Sequence, residues 1–309
     1  MGERYFVGVL LVLLYVAIAS TQSVVLNIWL VSINVFVMVA ISFTIATAVF
    51  SAIAMYKQPR SFRPLLAEWR MVVAFNVVTL CNWLFYFLSV KYLEPSVAVT
   101  ITQGFGPVVM TSWLLFRKEK VSAFTQTCHL ITLFAVAILC IHVFVSRSAY
   151  SAYDNSQMFL GMVFAFLCCI SITATVVISK KFAVAKIPAT TMLSVRFPLL
   201  IVVTGAFIPF QQTLTFKQED MFAILAVSLV GVCTSIYVLQ RGIEKTSSLA
   251  VSTSLAISPL VVLGIQSVLT GYPLSNMLVG LVSLIVTVSI ASVLYEGNVF
   301  KKQKTPSMG

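Results

Sequence analysis

Residues 86–122 read YFLSVKYLEPSVAVTITQGFGPVVMTSWLLFRKEKVS. An apolar run ends in the polar turn Lys91–Glu94, Pro95 opens a second apolar run, Pro107 interrupts it, and a basic loop closes it. This is the pattern of two membrane helices in a tight hairpin. The second is broken near its middle, because an interior proline removes a hydrogen bond and clashes with the preceding turn. A weaker copy, SSLAVSTSLAISPLVVLGIQSVLTGYPL, returns 152 residues later (248 − 96). In gapless register Ser96 meets Ser248, Ala98 meets Ala250, Val99 meets Val251, Pro107 meets Pro259 and Val109 meets Val261. Matched helix breaks in two halves of one chain are the sequence mark of a secondary transporter.

Composition agrees. The chain has 309 residues, 60% of them hydrophobic and only 9% charged, where soluble domains carry about 25% charge. Ten segments can each cross about 30 Å of hydrocarbon: 5–27, 35–56, 69–88, 95–116, 124–145, 158–179, 191–210, 221–240, 247–269 and 274–295. Segment 5–27 is longer than a signal-peptide core, lacks a small-x-small cleavage site and is followed by further spans, so it reads as a membrane helix. The expected fold is an all-α polytopic membrane protein of ten transmembrane helices in two inverted five-helix repeats. The repeats occupy 1–146 and 157–297, and a basic tail follows at 298–309.

The net charge of +11 is spread between the apolar segments instead of forming one face, so no nucleic-acid partner is expected. Counted round the connections, one side holds sixteen Lys and Arg, and the other holds only Lys91, Arg147 and Lys217. The positive-inside rule then places both termini in the cytoplasm. Five spans per half, an odd number, invert the second half relative to the first. The six cysteines fall in apolar segments without CxxC spacing, and His129 and His142 sit at opposite ends of one span. Neither set implies a disulfide frame, a metal site or a cofactor.

The hairpin LSVKYLEPSVAVTITQGFGPVV, the basic loop after it and the five-plus-five arrangement resemble the EamA-type members of the drug/metabolite transporter superfamily. In that resemblance Lys91, Tyr92, Ala98, Pro107 and Glu119 stand at the motif positions of the first half. Ala250 and Pro259 stand in the second, with Gly271 where the loop glutamate belongs. Arg196-Phe197 is similar to the Arg-Phe of the second helix of such repeats, against Val35-Phe36 in the first half. The resemblance implies a metabolite carrier. It leaves the substrate open.

Polar side chains within spans are costly and mark a pathway. Asn76, Thr79, Trp83 and Tyr86 follow at spacings that share one face of the third span, with Asn82 beside them. Thr100, Gln103, Gly104 and Pro107 do the same in the fourth. Gln22 lies in a polar cluster of the first span, and Tyr237 belongs to the eighth, the repeat counterpart of the third. Gln22, Asn76, Asn82, Tyr86, Gln103, Arg196 and Tyr237 are therefore the candidate substrate-binding residues, and Gly104, Pro107 and Pro259 the candidate hinges. Arg196 either meets an anionic group or snorkels to the interface. Every Asp and Glu falls in a loop or at a helix end, which disfavours coupling through a buried carboxylate.

No span carries HExxH, GxSxG or an Asp pair, so an intramembrane enzyme is disfavoured, and the short connections disfavour a non-transporting membrane receptor. The expected function is alternating-access transport of a small polar metabolite, an amino acid or related compound, with export as the direction. The membrane expected is a bacterial inner membrane. The runner-up is a nucleotide-sugar or phosphate-ester exchanger of an internal eukaryotic membrane, which would want more cavity cations than Arg196 alone. Small-molecule substrate and lipid bilayer are the expected partners, and a homodimer stays open.

Overall fold

The computed structural model describes residues 2–118, 121–146, 154–210, 218–246, 248–270 and 275–304. Glu119 and Gly271, used above in the loop comparison, lie outside the described residues. Among those described, ten helices are long and apolar enough to cross a membrane. The first five are α1 (Tyr5–Trp29), α2 (Val35–Lys57), α3 (Trp69–Tyr92), α4 (Pro95–Phe116) and α5 (Ala123–Val145). The others are α6 (Asn155–Val184), α7 (Ala189–Phe210), α8 (Asp220–Lys245), α9 (Thr253–Thr270) and α10 (Asn276–Tyr295). A helix satisfies its own backbone, which is what hydrocarbon demands of a spanning segment.

Most helices outrun the bounds read from the sequence, α1 and α6 among them. Helix α1 continues to Trp29, so the cluster around Gln22 lies inside the helix and not at its end. Helix α6 has 30 residues, about 45 Å at 1.5 Å each, and outruns the hydrocarbon core. Its start is fixed by a capping box. Asp154 accepts from the Gln157 amide at 2.8 Å, while the Gln157 side chain accepts from the Asp154 amide at 3.1 Å. The Gln157 amide, with the Ser156 hydroxyl, holds the Asp154 carboxyl below its ordinary range.

The halves interlock. The most extensive packing joins α3 to α6, α1 to α8, α2 to α7 and α5 to α10, each pair drawing one helix from each repeat. Two glycines allow the first two crossings. A Cβ on Gly161 of α6 would lie 2.9 Å from Tyr92 Cβ at the end of α3. A Cβ on Gly8 of α1 would lie 3.0 Å from Lys245 Cβ at the end of α8. These contacts are related by one shift, 161 − 8 = 245 − 92 = 153 residues. The prolines repeat at 152 residues, one fewer than these contacts.

Four helices depart from α geometry. In α4 a π segment covers Thr100–Gly104, just before Pro107. In α9 the α-helical hydrogen bonding lapses between Leu255 and Ser258, just before Pro259. The two breaks touch, for a Cβ on Gly104 would sit 3.6 Å from Pro259 Cγ. The Gly104 carbonyl accepts from Ser289 of α10 at 3.0 Å. Helix α7 is interrupted between Ser194 and Pro198, and α8 carries a π stretch at Val227–Thr234.

Candidate substrate cavity

The interruption of α7 builds the centre of the site. Pro198 lacks an amide hydrogen and its ring clashes with the carbonyl four residues back, so the helix stops at Ser194 and restarts at Pro198. The groups freed by this break are taken up by Asn76 of α3. Its Nδ2 donates to the Val195 carbonyl at 2.8 Å, and its Oδ1 accepts from the Leu199 amide at 3.3 Å. One turn further along α3, Thr79 Oγ1 accepts from Arg196 Nε at 3.1 Å. The Arg196 guanidinium carbon lies 4.8 Å from the Phe75 ring centre and 5.5 Å from that of Phe197. Two aromatic faces thus replace part of its lost hydration.

Arg196 is 4% exposed, so it does not snorkel to an interface. Among the described residues no Asp or Glu pairs with it. A buried cation without a counter-ion is held at a cost of several kcal/mol in a low-dielectric interior. Such a cost is met where a ligand supplies the missing charge.

Arg196 opens into a cavity of about 50 Å³ lined from seven helices. A second, of about 30 Å³, adjoins it through Gln103, Ile172, Val176 and Leu255, and reaches Gly106 and Met110 of α4. Gln22, Asn82, Tyr86, Gln103 and Arg196 all line the first cavity. Gln22 lies there because Gly231 of α8 leaves room: a Cβ at that glycine would be 2.7 Å from the Gln22 carboxamide. The Tyr86 ring stands edge-on to Trp83 at 5.9 Å. Asn82 Oδ1 accepts from the Cys168 thiol at 3.6 Å, a long contact suited to sulfur. Several buried polar atoms of the lining have no partner: Gln22 Nε2, Trp83 Nε1, Gln103 Oε1, Thr175 Oγ1 and Ser179 Oγ. Groups left in that state are waiting for water or ligand.

Two candidates fall elsewhere. Asn76 is spent on the α7 break and does not line the cavity. Tyr237 is 39% exposed on the outside of the bundle. The reason is register: with a shift of 153, Tyr237 answers Leu84, and Tyr86 is answered by Leu239, which does line the cavity. The same shift sets Arg196 opposite Phe43 and not at Val35-Phe36 (196 − 153 = 43). Tyr15, Thr175, Ser179 and Gln240 also line the cavity and were not among the candidates. The signal for Thr175 was the repeat itself, since it stands 153 residues after Gln22.

Two interlocked five-helix repeats around a polar cavity define a membrane protein of the drug/metabolite transporter class. The model of the EamA-like transporter family matches the chain twice, over residues 6–141 and 159–295. The chain belongs to that family, whose members are transporters and not enzymes. A solved structure titled "Crystal structure of protein" is similar in fold, with a TM-score of 0.68 and 16% identity. The similarity covers 99% of this chain and 100% of that one. Comparison with curated proteins gave no match.

Proposed function

We propose that the protein moves a small polar metabolite bearing one carboxylate, an amino acid or related compound, by alternating access. The observation that carries this is Arg196, buried and, among the described residues, without an Asp or Glu partner, in the cavity that also holds the unpartnered donors Gln22 Nε2 and Trp83 Nε1. One cation suits one carboxylate. The unpartnered Gln103 Oε1 offers an acceptor to an ammonium or hydroxyl group of the same ligand. The cavity has room for a few waters, so a metabolite enters only when the lining helices part. Its extension toward Gly106 and Met110, on the side of the basic connections, supports loading from the cytoplasm and export. The membrane is a bacterial inner membrane in this reading, and the basic connections support an orientation with both termini inside.

The test is counterflow of labelled neutral amino acids in proteoliposomes. Breaking a buried charge pair costs at least about 2 kcal/mol, so Arg196→Gln should lower affinity by about thirtyfold or more. Arg196→Lys should lose less, because it keeps the charge. Equal uptake of an amino acid and its amide, which lacks the carboxylate, or wild-type affinity in Arg196→Gln, would refute the assignment.

A further inference from the structure

Two side chains in corresponding places of the repeats do the same thing at opposite ends of the bundle. Asn27, near the end of α1, donates from Nδ2 to the carbonyls of Val90 at 2.7 Å and Leu93 at 3.2 Å, at the end of α3. Lys180, near the end of α6, donates from Nζ to the carbonyls of Ile243 at 3.0 Å and Thr246 at 2.8 Å, at the end of α8. The spacing from donor to acceptors is 63 and 66 residues in both cases. Donors and acceptors are again related by 153 residues (180 − 27; 243 − 90; 246 − 93). In each case one acceptor is the C-cap residue and the other lies three residues before it.

The chemistry explains why the contact is worth keeping. The last carbonyls of a helix have no partner within it, and lipid offers none. A side chain that takes two of them ties its own helix to that end. An ammonium also meets the negative end of the helix dipole.

What the two contacts join gives them a role. Packed through Gly8, α1 and α8 form one pair; packed through Gly161, α3 and α6 form the other. Asn27 ties the first pair to the second at one face, through α1 and α3. Lys180 ties the second to the first at the opposite face, through α6 and α8. All four helices line the cavity, with Gln22 and Tyr86 toward the Asn27 end and Ser179 and Ile243 toward the Lys180 end. We propose that Asn27 and Lys180 are a symmetry-related pair of latches, each holding one face of the cavity shut, and that a face opens when its latch releases the helix end. The structure has both latches engaged. The idea rests on the alternating-access reading and is independent of the substrate.

Sided labelling tests it. Thr175→Cys is the cavity reporter, an impermeant maleimide is added from one face of oriented proteoliposomes at a time, and the chain without the reporter gives the baseline of the native thiols. Lys180→Met should raise labelling from the basic face about tenfold, since charge-assisted bonds are the stronger kind, and should not raise it from the other face. Lys180→Gln, which keeps a donor, should fall between. Asn27→Leu should raise labelling from the far face alone, about threefold. Increases from both faces in either variant, or no increase in any, would overturn the latches. Pro107→Ala and Pro259→Ala separate the two ideas. Face-selective changes there with none in the latch variants would sink the latches and leave alternating access standing. If no variant is face-selective, alternating access itself fails.

Discussion

Replacing Asn76 by leucine asks whether this residue serves structure or substrate. In the wild type its carboxamide holds the Val195 carbonyl and the Leu199 amide across the α7 break. Leucine is of similar size and offers neither partner. Two orphaned backbone groups at about 1–3 kcal/mol each would cost about 2–6 kcal/mol. Side-chain hydrogen bonds between membrane helices average only about 0.6 kcal/mol, because the unfolded state in lipid finds other partners. Here the break is imposed by Pro198, so the freed groups cannot return to a helical ladder. The expected loss is therefore at least about 2 kcal/mol. Reversible unfolding in mixed micelles measures it, with Asn76→Asp as the variant that keeps one acceptor for the Leu199 amide. A substrate residue behaves otherwise, losing affinity with stability unchanged. A loss below about 0.6 kcal/mol would show that the break is not held by Asn76, and that this account of how Arg196 is positioned is wrong.

Other expectations follow from the crossings and the charge pattern. Gly161→Ala should destabilise the fold by about 1–3 kcal/mol through overpacking against Tyr92 and Leu93, while Gly264→Ala, whose Cβ meets nothing within 4 Å, should be neutral or stabilising in the same unfolding assay. Single cysteines in Lys91–Glu94 should react with an impermeant thiol reagent from outside the cell, and one at Ala185 should not; the reverse pattern would invert the topology.

Much of the fold was legible because lipid imposes simple rules on a chain. Apolar length gave the ten spans, and Pro107 and Pro259 marked where α4 and α9 depart from regular helix. Gln22, Asn82, Tyr86, Gln103 and Arg196 were recognisable as polar groups inside spans, where each needs a reason to be. The stripe on α3 was also real, but its two ends do different work. Asn76 and Thr79 serve the break in α7, while Trp83 and Tyr86 face the cavity. Helical spacing puts residues on one face without saying which neighbour that face meets. Tyr237 was chosen for the helix it belongs to, and at the 153-residue shift between α3 and α8 it answers Leu84, two residues from Tyr86. One residue turns a helix by about 100°, enough to exchange cavity for lipid. The interlocking of the halves through Gly8 and Gly161, and the matched grips of Asn27 and Lys180, join residues far apart in the chain. Those were decided by tertiary structure alone, because only packing determines which orphaned carbonyls a distant side chain can reach.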